Sequence, residues 1–231
     1  AVKVVDKNSL RHEEKDLLRT ELAILRIVRH PRIIRLEGVH ETGRKLLIVT
    51  ELVQGGELFD RIVGRSRFSE DEARRLARPL IEAIDYLHGL GIVHRDIKPE
   101  NILTDTSLFD IKIADFGLSV MVRPGQELTT PCGTLSYVAP EVLDMRGYGK
   151  AVDMWSVGVI LYLVVRGKLP FDGKTKEDVI RKTLNANVDF SHTVWRRWSS
   201  DGVDFIRKLL ERDPLLRLTT QQALRHRWMK S

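Results

Sequence analysis

The sequence predicts an α+β protein of two unequal lobes, a small strand-rich lobe over residues 1–53 and a larger, mainly helical lobe over 54–231. Three observations carry this. Runs of β-branched and aliphatic residues cluster in the first quarter of the chain, at 1–5, 33–39 and 46–53, and such runs suit pleated strands. The run Gln54-Gly55-Gly56 then interrupts the pattern. Beyond it, apolar residues recur at helical spacing over several long segments. A hinge is expected near residues 51–56, and pockets favour such junctions.

Taken in order, residues 1–5 read as a strand from the middle of a sheet, because Val2, Val4 and Val5 surround a single Lys3. No Met opens the chain, so it reads as a fragment. Leu17, Leu18, Ile24, Leu25 and Val28 form the apolar stripe of a helix over 12–29, which ends before His30-Pro31. Strands at 33–39 and 46–53 flank the turn Glu41-Thr42-Gly43-Arg44. Ser69-Glu70-Asp71-Glu72 is a capping box, in which the Ser hydroxyl and the Glu side chain satisfy each other's backbone amides. The helix it starts buries Ala73, Leu76, Ala77, Leu80, Ile81, Ile84 and Leu87 on one face and stops at Gly89 and Gly91. Short strands near 92–93, 102–103 and 111–113 follow, then helices at roughly 152–166, 176–185, 200–211 and 220–228. No internal repeat or low-complexity segment is present.

Composition narrows the function classes. Apolar content of 42% and charged content of 30% suit a globular protein. The net charge of +6 is spread along the chain and not massed in one tail, so no nucleic-acid partner is expected. The longest apolar stretch, 157–165, is too short to span a bilayer, so no membrane association is expected. The single cysteine, Cys132, excludes an internal disulfide and suits a reducing compartment, the cytoplasm or the nucleus.

The chemistry lies in the run His94-Arg95-Asp96-Ile97-Lys98-Pro99-Glu100-Asn101 and in Asp115-Phe116-Gly117. Together they offer an acceptor carboxylate, a cation two residues on, an amide five residues on, and a second carboxylate a hairpin away. Phosphoryl transfer from a magnesium nucleotide needs a base to orient a hydroxyl, a positive charge on the moving group, and hard oxygen ligands for the metal. A solvated charged loop is the plainer reading of such residues, and the length of the run argues against it. Glu21 interrupts the apolar stripe of its helix, a costly position unless a cation meets it. Lys3 is the natural partner; the plainer alternative leaves both charges in water.

These motifs, with Gly55-Gly56-Glu57-Leu58-Phe59-Asp60, Tyr137-Val138-Ala139-Pro140-Glu141-Val142-Leu143 and Ala223-Leu224-Arg225-His226, resemble those of eukaryotic Ser/Thr protein kinases of the calcium/calmodulin-dependent group. The resemblance covers essentially the whole chain. It implies the two-lobed protein-kinase fold and transfer of the ATP γ-phosphate, with Mg²⁺, to Ser or Thr hydroxyls of protein substrates. Asp96 would be the catalytic base and Lys98 the cation on the γ-phosphate, with Asn101 and Asp115 as Mg²⁺ ligands. Lys3 would hold the α- and β-phosphates and Glu21 would hold Lys3. Thr50 would stand beside the adenine pocket, Ala1 and Leu103 would sandwich the base, and Glu51 and Val53 would offer backbone hydrogen bonds. Glu57 would border the nucleotide site and, with Glu100, read an Arg three residues before the phosphoacceptor. Thr134 would bond Asp96 and Lys98 beside the bound peptide. Thr130 would be the phosphosite of an upstream activating kinase, its phosphate meeting Arg95, with Thr129 as the competing acceptor. Glu141 and Arg217 resemble a buried ion pair, and Asp153 a carboxylate that holds the catalytic-loop backbone.

Some positions depart from the family pattern. Leu135 replaces a frequent Pro, and Val120 stands where relatives often carry a Lys that helps bind the phosphorylated loop, leaving Arg123 as a substitute. Thr130 is therefore expected to act as a partial switch. The family's glycine-rich loop and first two strands do not precede Ala1, so this stretch alone is expected to be poorly soluble and essentially inactive. Calmodulin or calcium regulation would act through segments outside it. The alternative to an active kinase is a pseudokinase or scaffold of the same fold, against which intact Lys3, Glu21, Asp96, Asn101 and Asp115 argue. A small-molecule kinase fits less well, because the long stretch from 115 to 141 suits docking a peptide.

Overall fold

A computed structural model describes residues 1–65 and 67–230. The first lobe is built on an antiparallel sheet of β1 (Val2–Asp6), β2 (Leu36–Glu41) and β3 (Lys45–Thr50), with α1 (His12–Ile27) inserted after β1. The strand order is β1-β3-β2, so β1 is an edge strand here and not an interior one. Lys3 pairs with Ile48 in that register. On α1, Ile24, Leu25 and Val28 are buried as expected, but Leu17 is exposed and does not belong to the stripe.

The strand expected over 33–39 divides. Ile34 N–H donates to Ile113 O and Ile113 N–H to Arg32 O, both at 2.9 Å, so residues 32–34 pair with a strand of the other lobe. Only from Leu36 does the chain enter the sheet, with a register shift between Leu36 and Gly38. The strand over 46–53 likewise ends at Thr50, leaving residues 51–53 as an extended connector.

The second lobe contains α2 (Leu58–Val63), α3 (Glu70–Gly89), β4 (Ile92–Val93), β5 (Ile102–Thr104), β6 (Ile111–Ile113), β7 (Val120–Met121), α4 (Pro140–Leu143), α5 (Ala151–Arg166), α6 (Lys176–Asn185), α7 (Ser200–Leu209), α8 (Thr220–Arg225) and α9 (Arg227–Lys230). The capping box of α3 is formed: Glu72 N–H donates to the Ser69 hydroxyl at 3.2 Å and Ser69 N–H to the Glu72 carboxylate at 2.9 Å. The predicted face of α3 is wholly buried and packs on α5 and α8. Helix α5 is buried almost all round, which makes it the axis of the lobe. The helix expected over 220–228 is two helices. His226 adopts an extended backbone, its ring meets Asp204 at 3.1 Å, and it accepts the Trp228 N–H, so a side chain replaces one helical bond.

Two short antiparallel pairs, β5 with β6 and β4 with β7, carry the segments that hold the sequence motifs. Gly55 lets the connector lie against β5: a Cβ there would stand 2.2 Å from Asp105 O and 2.4 Å from Thr104 O. Among the described residues, no helix is both long and apolar enough to cross a membrane.

Candidate active site

Between the lobes lies a cleft of about 380 Å³, lined among others by Ala1, Lys3, Glu21, Thr50, Glu51, Val53, Leu103 and Asp115. Eight residues expected around a nucleotide from distant parts of the chain thus meet on one surface. The Lys3 ammonium donates to both Glu21 carboxylate oxygens, at 2.7 and 3.1 Å. The Glu21 side chain is 7% exposed and that of Lys3 52%, so the carboxylate is anchored from the helix side and the ammonium reaches into open space. Glu51 N–H is taken by Arg35 O at 3.0 Å, so what Glu51 offers the cleft is its carbonyl. Glu57 does not line this cleft. It precedes α2, exposed, with its backbone bridged to Leu103.

The catalytic-loop candidates form a closed triangle. Lys98 Nζ lies 2.9 Å from Asp96 Oδ2 and donates to Thr134 Oγ1 at 2.8 Å. Thr134 donates to Asp96 Oδ1 through its hydroxyl at 2.9 Å and its backbone N–H at 3.1 Å. Burial alone would raise the Asp96 pKa, but hydrogen bonds from Lys98, Thr134 and Asn101 outweigh it and hold the carboxyl below its ordinary value. Asp96 is therefore a carboxylate at neutral pH, an oriented acceptor. Gly133 makes the contact with Thr134 geometrically accessible: at φ +102, a Cβ there would stand 2.7 Å from Arg95 O.

The loop is held from below. Arg95 adopts a left-handed backbone, φ 69, which costs of order 1–3 kcal/mol in a residue with a side chain. Asp153, at the start of α5 and fully buried, accepts His94 N–H at 3.0 Å and Arg95 N–H at 2.9 Å. Its other contact is the His88 ring at 2.8 Å. Desolvation opposes the Asp153 charge, yet the His88 hydrogen bond and its other donors leave its pKa below the ordinary value. His94 is buried, which pushes its pKa down, and its ring meets Ala114 O at 3.2 Å and the edge of Phe116. Phe116 is buried beneath, leaving the neighbouring Asp115 on the cleft wall. His88 is not suggested by sequence spacing, since its partner lies 65 residues away.

The donor set suits Mg²⁺. Asn101 spends its amide N–H groups on Asp96 O and Asp96 Oδ2, both at 2.9 Å, which leaves its oxygen as a free acceptor. Asp115, also left-handed at φ 58, makes no ion pair among the described residues. No cluster of three His, Cys, Asp or Glu is found among the described residues. One carboxylate and one amide oxygen match a hard cation that keeps waters and phosphate oxygens as its remaining ligands.

The stretch from 115 to 141 is pinned at several points. Arg95 Nε donates to Leu118 O at 2.6 Å and its Nη1 to Tyr148 Oη at 3.1 Å, while Tyr148 donates to Thr130 O at 2.6 Å. Thr130 is itself exposed, two hydrogen bonds from Arg95. Tyr148 is a residue that sequence reading missed, because nothing local marks it. No described contact brings Arg123 to Arg95 or Thr130; its N–H is taken by Gln126. Glu141 and Arg217 form the anticipated pair, bidentate at 2.6 and 2.9 Å and almost wholly buried. Glu100 is half-buried, and its Oε2 is buried without a hydrogen-bond partner. Burial, and then the Glu100 charge, push the Tyr137 hydroxyl pKa up.

Comparison with known proteins agrees with this geometry. Residues 1–229 match the protein kinase domain family. The chain is 48% identical to human calcium/calmodulin-dependent protein kinase type 1B, over 99% of this chain and 67% of that protein. It is 46% identical to myosin light chain kinase A of Dictyostelium discoideum, over 100% of this chain and 79% of that protein. Against mouse calcium/calmodulin-dependent protein kinase type IV the identity is 45%, over 99% of this chain and 49% of that protein. With a two-lobed α+β fold, an ordered Asp96–Lys98–Thr134 triangle and these relatives, the chain belongs to the protein kinase family, as a Ser/Thr protein kinase catalytic domain of the calcium/calmodulin-dependent group.

Proposed function

We propose that this kinase uses MgATP, with Lys3, Asp96, Lys98, Asn101 and Asp115 dividing the work, on protein substrates that carry an Arg upstream of the acceptor. The single observation that supports this most is the Asp96 carboxyl held between Lys98, Thr134 and Asn101. Asp96 orients the acceptor hydroxyl and takes up its proton as the new oxygen–phosphorus bond forms and the bond between the γ-phosphorus and the β–γ bridging oxygen breaks, ADP being the leaving group. Lys98 keeps Asp96 charged and offers positive potential to the moving group. Lys3 holds the α- and β-phosphates, with Glu21 fixing its direction. Asn101 and Asp115 would hold the metal, whose charge, when bound, neutralises the phosphate oxygens. The Glu51 carbonyl and Val53 meet the base, Ala1 and Leu103 lie on its faces, and Thr50 closes the back of the cleft. The lobe boundary of this reading is residue 53.

The upstream-Arg preference is supported by Glu100, a half-buried carboxylate without a hydrogen-bond partner on its Oε2, which a side-chain rotation toward the surface would offer to a guanidinium. Exposed Glu57 would complete that site from the rim. A peptide-array screen in which Glu57→Ala and Glu100→Gln both keep the Arg preference would count against it. Thr130 is proposed as a phosphosite for an upstream kinase, and calmodulin regulation is proposed by analogy with the names of the relatives. A cytoplasmic or nuclear setting is the compartment proposed, in keeping with a single cysteine. The central assignment is tested with Asp96→Asn in the full-length protein, which should leave ATP binding nearly intact and remove most turnover. Near wild-type peptide phosphorylation would refute it.

A further inference from the structure

Behind the connector lies a second pocket, of about 320 Å³, lined by Arg29, His30, Pro31, Arg35, Glu51 and Lys112 among others. Glu51 lines both this pocket and the nucleotide cleft. Its carboxylate is turned to work at the back: Oε1 accepts Arg35 N–H at 2.8 Å and lies 3.1 Å from Lys112 Nζ. Lys112 also donates to Pro31 O at 2.9 Å. Both side chains of the pair are 20% exposed, so water screens them only in part.

The position of Lys112 gives the pair a consequence beyond stability. It is the middle residue of β6, and Asp115 stands two residues past the end of that strand. The same strand is bonded through Ile113 to Arg32 O and Ile34 N–H, and Arg32 is ion-paired with Asp110 just before it. One ammonium therefore joins three pieces of chain: the connector, the segment after α1, and the strand that leads into Asp115. A nucleotide spanning the cleft must meet the Glu51 carbonyl at one end and Asp115 at the other. We propose that Glu51 and Lys112 form a latch across the lobe junction that sets this spacing, which makes Lys112 a positioning residue for the nucleotide. The inference rests on the nucleotide assignment of the cleft given above.

The test, in the full-length protein, measures binding of a fluorescent ATP analogue, with kcat and KM for MgATP, in Lys112→Met, Lys112→Arg, Glu51→Gln and the Glu51→Gln/Lys112→Met double variant. Lys112→Met keeps the aliphatic stem and removes the ammonium. It should raise nucleotide Kd and KM about three- to ten-fold, the scale of one partly screened charge contact, and move kcat less than about two-fold. Lys112→Arg should restore affinity. Glu51→Gln should weaken nucleotide binding in the wild type and have little further effect in the Lys112→Met background, since both remove one interaction. Unchanged affinity in Lys112→Met would overturn the latch, and so would additive effects or a loss of kcat that tracks a fall in melting temperature. Lys3→Met keeps the two questions apart. Analogue binding lost in Lys3→Met but equal in wild type and Lys112→Met overturns the latch and leaves the cleft assignment standing. Binding that survives Lys3→Met unchanged overturns both.

Discussion

Arg217→Met should destabilise the helical lobe by about 3–5 kcal/mol, the cost of leaving one member of a buried ion pair behind. The structure makes the pair asymmetric. Arg217 is fully buried and, besides Glu141, donates to Glu211 O at 2.8 Å, Ala151 O at 3.0 Å and Arg212 O at 3.3 Å, with its guanidinium carbon 5.0 Å from the Trp155 ring centre. Its removal strands the Glu141 carboxylate and three carbonyls together. Glu141→Gln leaves the guanidinium its carbonyls and its ring, so the cost falls to about 1.5–3 kcal/mol, that of a charged hydrogen bond. In a chain of this length each kcal/mol moves the melting temperature by about 2–4 °C, so Arg217→Met should lower it by about 6–20 °C. Urea denaturation followed by tryptophan fluorescence reads both variants, and Trp155 reports the local loss. The Glu141→Leu/Arg217→Met double variant should cost less than the sum of its singles, because no buried charge remains. Glu141→Gln matching or exceeding Arg217→Met would refute the reasoning, as would strict additivity.

Other expectations concern the catalytic loop. In the proposed mechanism Asp96 works ionised, and its pKa is depressed, so the activity of the full-length protein should persist as pH falls through the ordinary carboxylate range and be lost only below it. Thr134→Ala removes one of the bonds that lower that pKa, so the acid limb of kcat/KM should move to higher pH, and an unmoved limb would contradict the role given to Thr134. Phosphate on Thr130 should activate only in part, because Arg95 already spends Nε on Leu118 and Nη1 on Tyr148. Tyr148→Phe should lower basal activity and enlarge the fold-activation by an upstream kinase; activation of Thr130→Ala to the wild-type level would put the switch elsewhere.

Local patterns in the chain were enough for the elements whose reasons are local. The Ser69 capping box, the buried face of α3 and the all-round apolar α5 follow from spacing alone, since caps and periodicity involve residues within a few positions of each other. The grouping of the run from His94 to Asn101 was equally legible, because its residues lie in one loop. Glu21 was readable as a charge needing a partner, since a carboxylate inside an apolar stripe is anomalous by itself. The strand at 33–39 was half wrong because Arg32 O and Ile34 N–H bond Ile113, pairing the start of that stretch with the other lobe, and the helix at 220–228 was divided by the bond between His226 and Asp204. Leu17 matched the stripe by spacing and is nonetheless 40% exposed. Tyr148 beside Arg95, His88 beneath Asp153 and Lys112 against Glu51 were invisible for the same physical reason. Each is one polar side chain among many on its own element, and its meaning comes from a partner 53, 65 or 61 residues away that only the folded chain brings within hydrogen-bond reach.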